Sequence, residues 1–232
     1  MTKKLAVILL YILVLASLLV IGNSFLNQLA CEGQPINFRI DPTAEQQIFG
    51  EQILSQSFVS PRNNLNRIDI MFQTYQRQNT YDVFVRLLEA SPDNPLQGKL
   101  IDEFTVNASA VRDRVWHTFT FLPINNSAGK NYLIQIQSPD STPGNAITVG
   151  GIEWDAYAPG TAYLGPVPLR ADIAFRACYN MATFEKLQAL LAQLTQNRPA
   201  VWGNSAFYGI ILFIYALLLI GFFLLLTQLA LK

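Results

Sequence analysis

The chain has 232 residues, with 16 basic and 16 acidic side chains and a formal charge of zero. Nothing in that balance suggests nucleic-acid binding or a polybasic lipid-binding surface. One histidine and two cysteines leave few ligands for a transition metal or a redox centre.

Taken in chain order, the first element is "MTKKLAVILLYILVLASLLVIGN". Leu5 to Ile21 carries no charge and reaches roughly 25 Å as a helix. Snorkelling by Lys3 and Lys4 closes the gap to a ~30 Å hydrocarbon core. Residues 1–26 are therefore expected to be an uncleaved transmembrane anchor. The rival is a signal peptide cut near Gly22, Asn23 and Ser24. A lipoprotein reading at Cys31 fits poorly, because Gln28 stands where a lipobox wants leucine.

Residues 31–180 read as an extracytoplasmic β domain. In "NRIDIMFQTY", Ile68, Ile70 and Phe72 share a face by alternation, and Arg67, Asp69 and Gln73 share the other. The expectation is a half-buried strand with a solvated polar face. "TYDVFVRLLEA" aligns Val83, Val85 and Leu87. "LIDEFTV", "RVWHTFTFLPI", "NYLIQIQ", "AITVGGIEWDAY" and "RADIAFRACY" follow, separated by turn clusters, and "NASAVRD" suits one helical turn. Short strands at this spacing, with no helical pattern between them, predict a mainly β fold, a jelly-roll β-sandwich. Residues 183–197 place Phe184, Leu187, Leu190, Leu191 and Leu194 at helical spacing, a short amphipathic helix that needs a bed. Residues 203–232 are the second transmembrane helix: Ser205 to Leu231 is free of charge, with Arg198 and Trp202 ahead of it. Lysines at both tails orient both termini to the cytoplasm and the β domain outward, across the cell inner membrane.

Little in the chain suggests chemistry, and it reads as no enzyme. His117, between Val115 and Phe119 on an apolar face, is expected to be a packed ring with a hydrogen-bonded nitrogen. No GxSxG elbow, CxxCH motif or phosphate-cradling loop accompanies it. Asp69, Asp82, Glu103 and Glu153 are expected to be solvated strand charges rather than paired glycosidase acids. Asp140, Asp155 and Asp172 lie near strand ends, where a structural calcium is the less favoured option. No cofactor or metal is expected. Tyr75, Tyr81, Trp116 and Trp154 are candidate sugar-stacking rings, although strand aromatics more often pack across strands.

Two further pairings come from architecture. Cys31 lies just outside the first span and Cys178 ends the last strand, so a disulfide between them is expected in an oxidising compartment. In the second span, Ser205, Gly209, Ala216 and Gly221 present small surfaces for another helix, and Tyr208, Tyr215 and Gln228 add polar atoms.

The stretches "SFVSPRNNLNRIDIMFQTYQRQNTYDV", "VWHTFTFLPINNSAGKNYLIQIQSPDSTPGNAITV" and "ADIAFRACY" resemble a β-sandwich domain of membrane proteins from green filamentous bacteria. The likeness spans residues 50 to 179 and extends to carbohydrate-binding jelly rolls. It implies fold more than function, and no catalytic residue carries over. A looser resemblance is to small, cofactor-free accessory subunits of membrane electron-transfer or photosynthetic assemblies, such as alternative complex III. The two resemblances imply a non-catalytic accessory subunit whose partners are the lipid bilayer and other membrane subunits. The alternative is an anchored glycan-binding module of the cell envelope.

Overall fold

The computed structural model describes residues 2–32, 45–91, 93–153, 156–196 and 198–231. It divides into two compact units, one formed by Met1–Ala30 with Met181–Lys232 and the other by Cys31–Asn180.

The first unit is helical. Helix α1 spans Thr2–Gln28, α2 spans Thr183–Thr195 and α3 spans Ser205–Leu231. Two of these helices, over Tyr11–Gln28 and Ser205–Gln228, are long and apolar enough to cross a membrane. Helix α2 starts where the Glu185 carboxylate accepts the Ala182 backbone N–H at 2.7 Å. That acid also suits the positive end of the helix dipole. The expected apolar stripe of α2 is only partly covered. Ala189 is buried and Leu190, Leu191 and Leu194 are half-buried, whereas Phe184 is exposed. Lys186 Nζ donates to Asn27 Oδ1 at 2.7 Å, and Tyr11 meets Phe223 edge to face.

The second unit is mainly β. In chain order its strands are β1 (Cys31–Glu32), β2 (Gln46–Gln47), β3 (Ile53–Val59), β4 (Leu65–Gln73), β5 (Asp82–Ala90), β6 (Gly98–Asn107) and β7 (Val115–Ile124). They continue as β8 (Asn131–Gln137), β9 (Thr148–Val149), β10 (Gly151–Glu153), β11 (Ala162–Leu164), β12 (Val167–Pro168), β13 (Ala171–Ile173) and β14 (Phe175–Tyr179). One sheet is centred on β4. Ile70 pairs with Phe175 of β14 on one side and His117 of β7 on the other; Phe72 pairs with Val149 of β9 and Val115 of β7. Strands β14 and β9 therefore follow one another along one side of β4, and β7 takes the whole other side. Strand β1 lies beyond β14, and β2 beyond β9. A second sheet runs β12-β11-β3-β8-β5-β6, and β10 pairs with β13 as a short ribbon. All these pairings are antiparallel.

Apolar faces of the two sheets meet in the core. Phe58 of β3 lies 5.5 Å from Phe175 of β14, and Phe104 of β6 lies 5.3 Å from Phe119 of β7. Ile68, Ile70 and Phe72 are buried as the alternation predicted, and so are Val83, Val85 and Leu87. Residues 108–110 form the single helical turn expected there, capped by Asn107, whose side chain accepts from the Ser109 backbone N–H.

The other face of β4 departs from expectation. Asp69, Met71 and Gln73 are buried, with Asp69 only 1% exposed. Long neighbours on the flanking strands cover this face, which alternation within one strand does not reveal. The short strands β11 and β12 were hidden in the Gly/Pro-rich stretch, where three- and two-residue pairings leave no periodic signal.

Candidate functional site

The polar face of the first sheet gathers the richest side-chain chemistry. Register puts Cys31, Cys178, Arg67 and Thr120 in one row across β1, β14, β4 and β7. Arg176, Asp69 and Thr118 form the next row. Cys31 and Cys178 are joined as a disulfide, the pairing expected from the chain's architecture. Arg67 lies over both sulfurs, its NH2 group 3.0 Å from Cys31 Sγ and 3.1 Å from Cys178 Sγ. Asp69 accepts from Arg67 NH2 at 3.3 Å, from Arg176 NH2 at 2.8 Å and from the Thr118 hydroxyl at 2.9 Å. Burial pulls the Arg176 guanidinium below its usual range, and the charge of Asp69 opposes that pull.

The two sulfurs and the Asp69 carboxylate lie within 4.8 Å of one another. As a disulfide the sulfurs offer no thiolate, and two guanidiniums already neutralise the carboxylate, so this cluster does not suit a cation. The solvated reading of Asp69 is thereby corrected: its charge is neutralised by arginines rather than by water.

The candidate sugar-stacking rings fall at different places. Trp116 is half-buried against Met71, Ile152 and Ala174, and the Arg176 guanidinium covers its face at 4.1 Å. Tyr75 is exposed at the β4–β5 turn, with Arg77 5.4 Å from its ring centre. Tyr81 is half-buried at the far end of the same turn. Trp154 lies outside the described residues. Asp113, which sequence reading passed over, holds that turn by accepting the backbone N–H groups of Thr74 and Tyr75. Those contacts support Tyr75 and Gln76 at φ values of 53° and 59°.

His117 is half-buried. Its ring lies against Phe72, and its Nε2 accepts the Arg112 backbone N–H at 3.3 Å. Burial is the main cause of its lowered pKa. Asp82 accepts from Asn107 and Glu103 pairs with Arg86, so these carboxylates are spent in cross-strand contacts between β5 and β6. Asp172 is buried, accepting from Gln56 Nε2 at 2.9 Å and from the Tyr157 backbone N–H at 2.8 Å. Asp140 is exposed on a turn, and Asp155 lies outside the described residues, so the three aspartates considered for calcium include one already committed to the core. A cleft of about 290 Å³ between Ser57, Ser91, Asn131 and Thr161 has no titratable side chain among the described residues of its lining.

In α3, the small positions stand open. A side chain built at Gly209 or at Gly221 meets no atom within 4 Å. Ser205 and Ala216 are exposed too, and Tyr215 is 62% exposed. Arg198 NH1 donates to the Tyr208 hydroxyl at 3.0 Å at the start of the helix.

No family model matches the chain, and no curated protein matches it. Among solved structures it has weak similarity to lectin-like and carbohydrate-binding β domains. One is a structure of the cysteine protease and lectin-like domains of Cwp84, a surface-layer-associated protein of Clostridium difficile. It aligns with a TM-score of 0.40 and 8% identity, over 61% of this chain and 37% of that one. Another is the carbohydrate-binding module CBM36 with calcium and xylotriose, with a TM-score of 0.27 and 12% identity, over 51% of this chain and 92% of that one. The structure of PirA aligns with a TM-score of 0.30 and 11% identity, over 56% of this chain and 99% of that one. At these scores the likeness carries no functional argument.

Proposed function

We propose that this chain is a non-catalytic accessory subunit of a multi-subunit bacterial membrane complex, of the electron-transfer or photosynthetic kind. Helices α1 and α3 are its spans in the inner membrane. Both termini face the cytoplasm, and the β unit is a jelly-roll sandwich on the outer side. The observation that carries the proposal is the surface of α3. It is charge-free from Ser205 to Leu231, and Gly209 and Gly221 leave its backbone open to close approach by another helix. Bulk anchoring requires no such openings.

The enzyme reading draws no support from His117 or the carboxylates, whose atoms are engaged in packing, turns and ion pairs. An anchored glycan-binding module ranks second, because Arg176 covers Trp116 and Arg77 approaches Tyr75.

The test is a purification of the native assembly with Gly209→Leu and Ala216→Leu in α3. Loss of this subunit from the assembly, with the disulfide and β-sheet dichroism intact, supports docking. Full retention makes α3 an anchor only. Retention of a solitary wild-type chain on a polysaccharide matrix favours the glycan module instead.

A further inference from the structure

Helix α2 carries an apolar stripe that its own unit leaves partly bare. At about 100° per residue, Phe184, Leu187, Leu190, Leu191 and Leu194 fall within about 120° of arc, and Ala192 stands on the opposite face. Leu187 is 37% exposed and Phe184 is 67% exposed. A helix of 13 residues is marginal in water unless such a stripe is covered. Both ends of α2 are pinned. Lys186 in its first turn donates to Asn27, the residue before the last of α1. Arg198, just beyond its last turn, donates to Tyr208 in the first turn of α3. Tyr11 meets Phe223 about five turns from those two ends. Were α1 and α3 parallel, the ends would lie about 50 Å apart, beyond the reach of a helix about 20 Å long. The two are therefore antiparallel, and α2 lies across the end where both apolar runs stop.

We propose that α2 lies in the headgroup–acyl boundary of the bilayer, with Phe184 and Leu187 turned into the lipid. The inference rests on the reading of α1 and α3 as spans and adds a third contact that does not span. Two observations select lipid as the occupant. First, α2 is held at the level where spanning helices meet that boundary, and the side chains at this level suit it. Trp202 is 55% exposed and packs edge to face on Phe207 at 5.2 Å, and Arg198 reaches the Tyr208 hydroxyl. Rings with one polar tip and a long-stemmed cation are what the boundary favours. Second, the only charges of α2, Glu185 and Lys186, are opposite and adjacent. Burial of the apolar stripe is then the driving force, and anionic headgroups are not required.

The experiment places the full chain in vesicles of phosphatidylcholine, with and without phosphatidylglycerol. Phe184→Cys, Leu187→Cys, Ala192→Cys and Leu218→Cys each carry a nitroxide in separate preparations. The two native cysteines are already paired, so the introduced thiol takes the label. Collision with dissolved oxygen, compared with a water-soluble nickel chelate, reads the depth of each site. The Phe184 and Leu187 sites should favour oxygen and lie about 5–10 Å into the boundary, equally in both lipid mixtures. The Ala192 site should favour the chelate. Leu218, 66% exposed at the middle of α3, is the control for the spans and should lie deepest. With that control deep, Phe184 and Leu187 sites that favour the chelate overturn the proposal. So do sites shielded from both reagents, the sign of a protein surface over the stripe. A depth reached only with phosphatidylglycerol overturns the apolar account. A Leu218 site in water overturns the spanning reading, and this inference with it. As a second readout that keeps an aromatic ring, Phe184→Trp should gain fluorescence that headgroup-proximal brominated lipid quenches. No such gain overturns the proposal even where a labelled variant folds poorly.

Discussion

Replacing Asp69 with asparagine isolates the charge at the centre of the polar face while keeping its shape. The wild-type carboxylate is 1% exposed and receives two guanidiniums and a hydroxyl. Asparagine turns one acceptor oxygen into an NH2 group that must face Arg67 or Arg176. Hydrogen bonds to charged groups contribute about 1.5–3 kcal/mol each. Removing one partner of a fully buried ion pair costs about 3–5 kcal/mol. Here the arginine side chains are 33% and 28% exposed, so water can take over part of their solvation in the variant. The expected loss is about 2–3 kcal/mol, below the fully buried case. For a unit of this size each kcal/mol lowers the melting temperature by about 2–4 °C, giving a fall of roughly 5–10 °C. Thermal unfolding followed by β-sheet dichroism, with the disulfide oxidised, measures it. A cycle with Arg176→Met should show that the two losses overlap rather than add. A fall under about 1 °C, the behaviour of an exposed ion pair, would refute the reasoning.

Three other perturbations have defined outcomes. Replacing Cys31 and Cys178 with serine opens a loop with a sequence separation of 147, worth up to about 5 kcal/mol in the chain-entropy model; guanidinium titration should show an earlier midpoint, and an unchanged midpoint counts against a stabilising bond. Gly160→Ala puts a methyl carbon 1.9 Å from the Ser57 carbonyl oxygen and should cost about 1–3 kcal/mol. Gly129→Ala, at φ +76° with open space around it, should cost about 1–2 kcal/mol from backbone conformation alone, and a Gly160→Ala variant that melts like wild type would refute the steric account. Because burial lowers the His117 pKa from 6.5, the folded state favours the neutral ring. That contribution is complete above 6.5 and is lost as pH falls through the lower folded value. His117→Gln should therefore flatten the acid-side loss of stability in a series of melts, and an unchanged pH profile rules it out.

The sequence by itself determined what depends on short-range pattern. Unbroken apolar runs marked α1 and α3, because any helix of that length and composition has the same hydrocarbon surface whatever surrounds it. Period-two alternation placed Ile68, Ile70 and Phe72 in the core, because a strand turns successive side chains to opposite faces. Only the tertiary structure decided the fate of the second face. Asp69 is covered by Arg176 of β14 and Thr118 of β7 as well as by Arg67 of its own strand, Met71 by Trp116, Ile152 and Ala174, and Gln73 by Glu45 and Arg114, most of them brought alongside from segments far apart in the chain. The same holds for Trp116, a candidate stacking ring in the sequence whose face Arg176 of β14 covers. Whether a strand is an interior member or a free edge is also non-local. Strands β4 and β7 both alternate, yet among the described residues β4 has neighbours on both sides and β7 on one, because pairing is set by which distant segments reach each side.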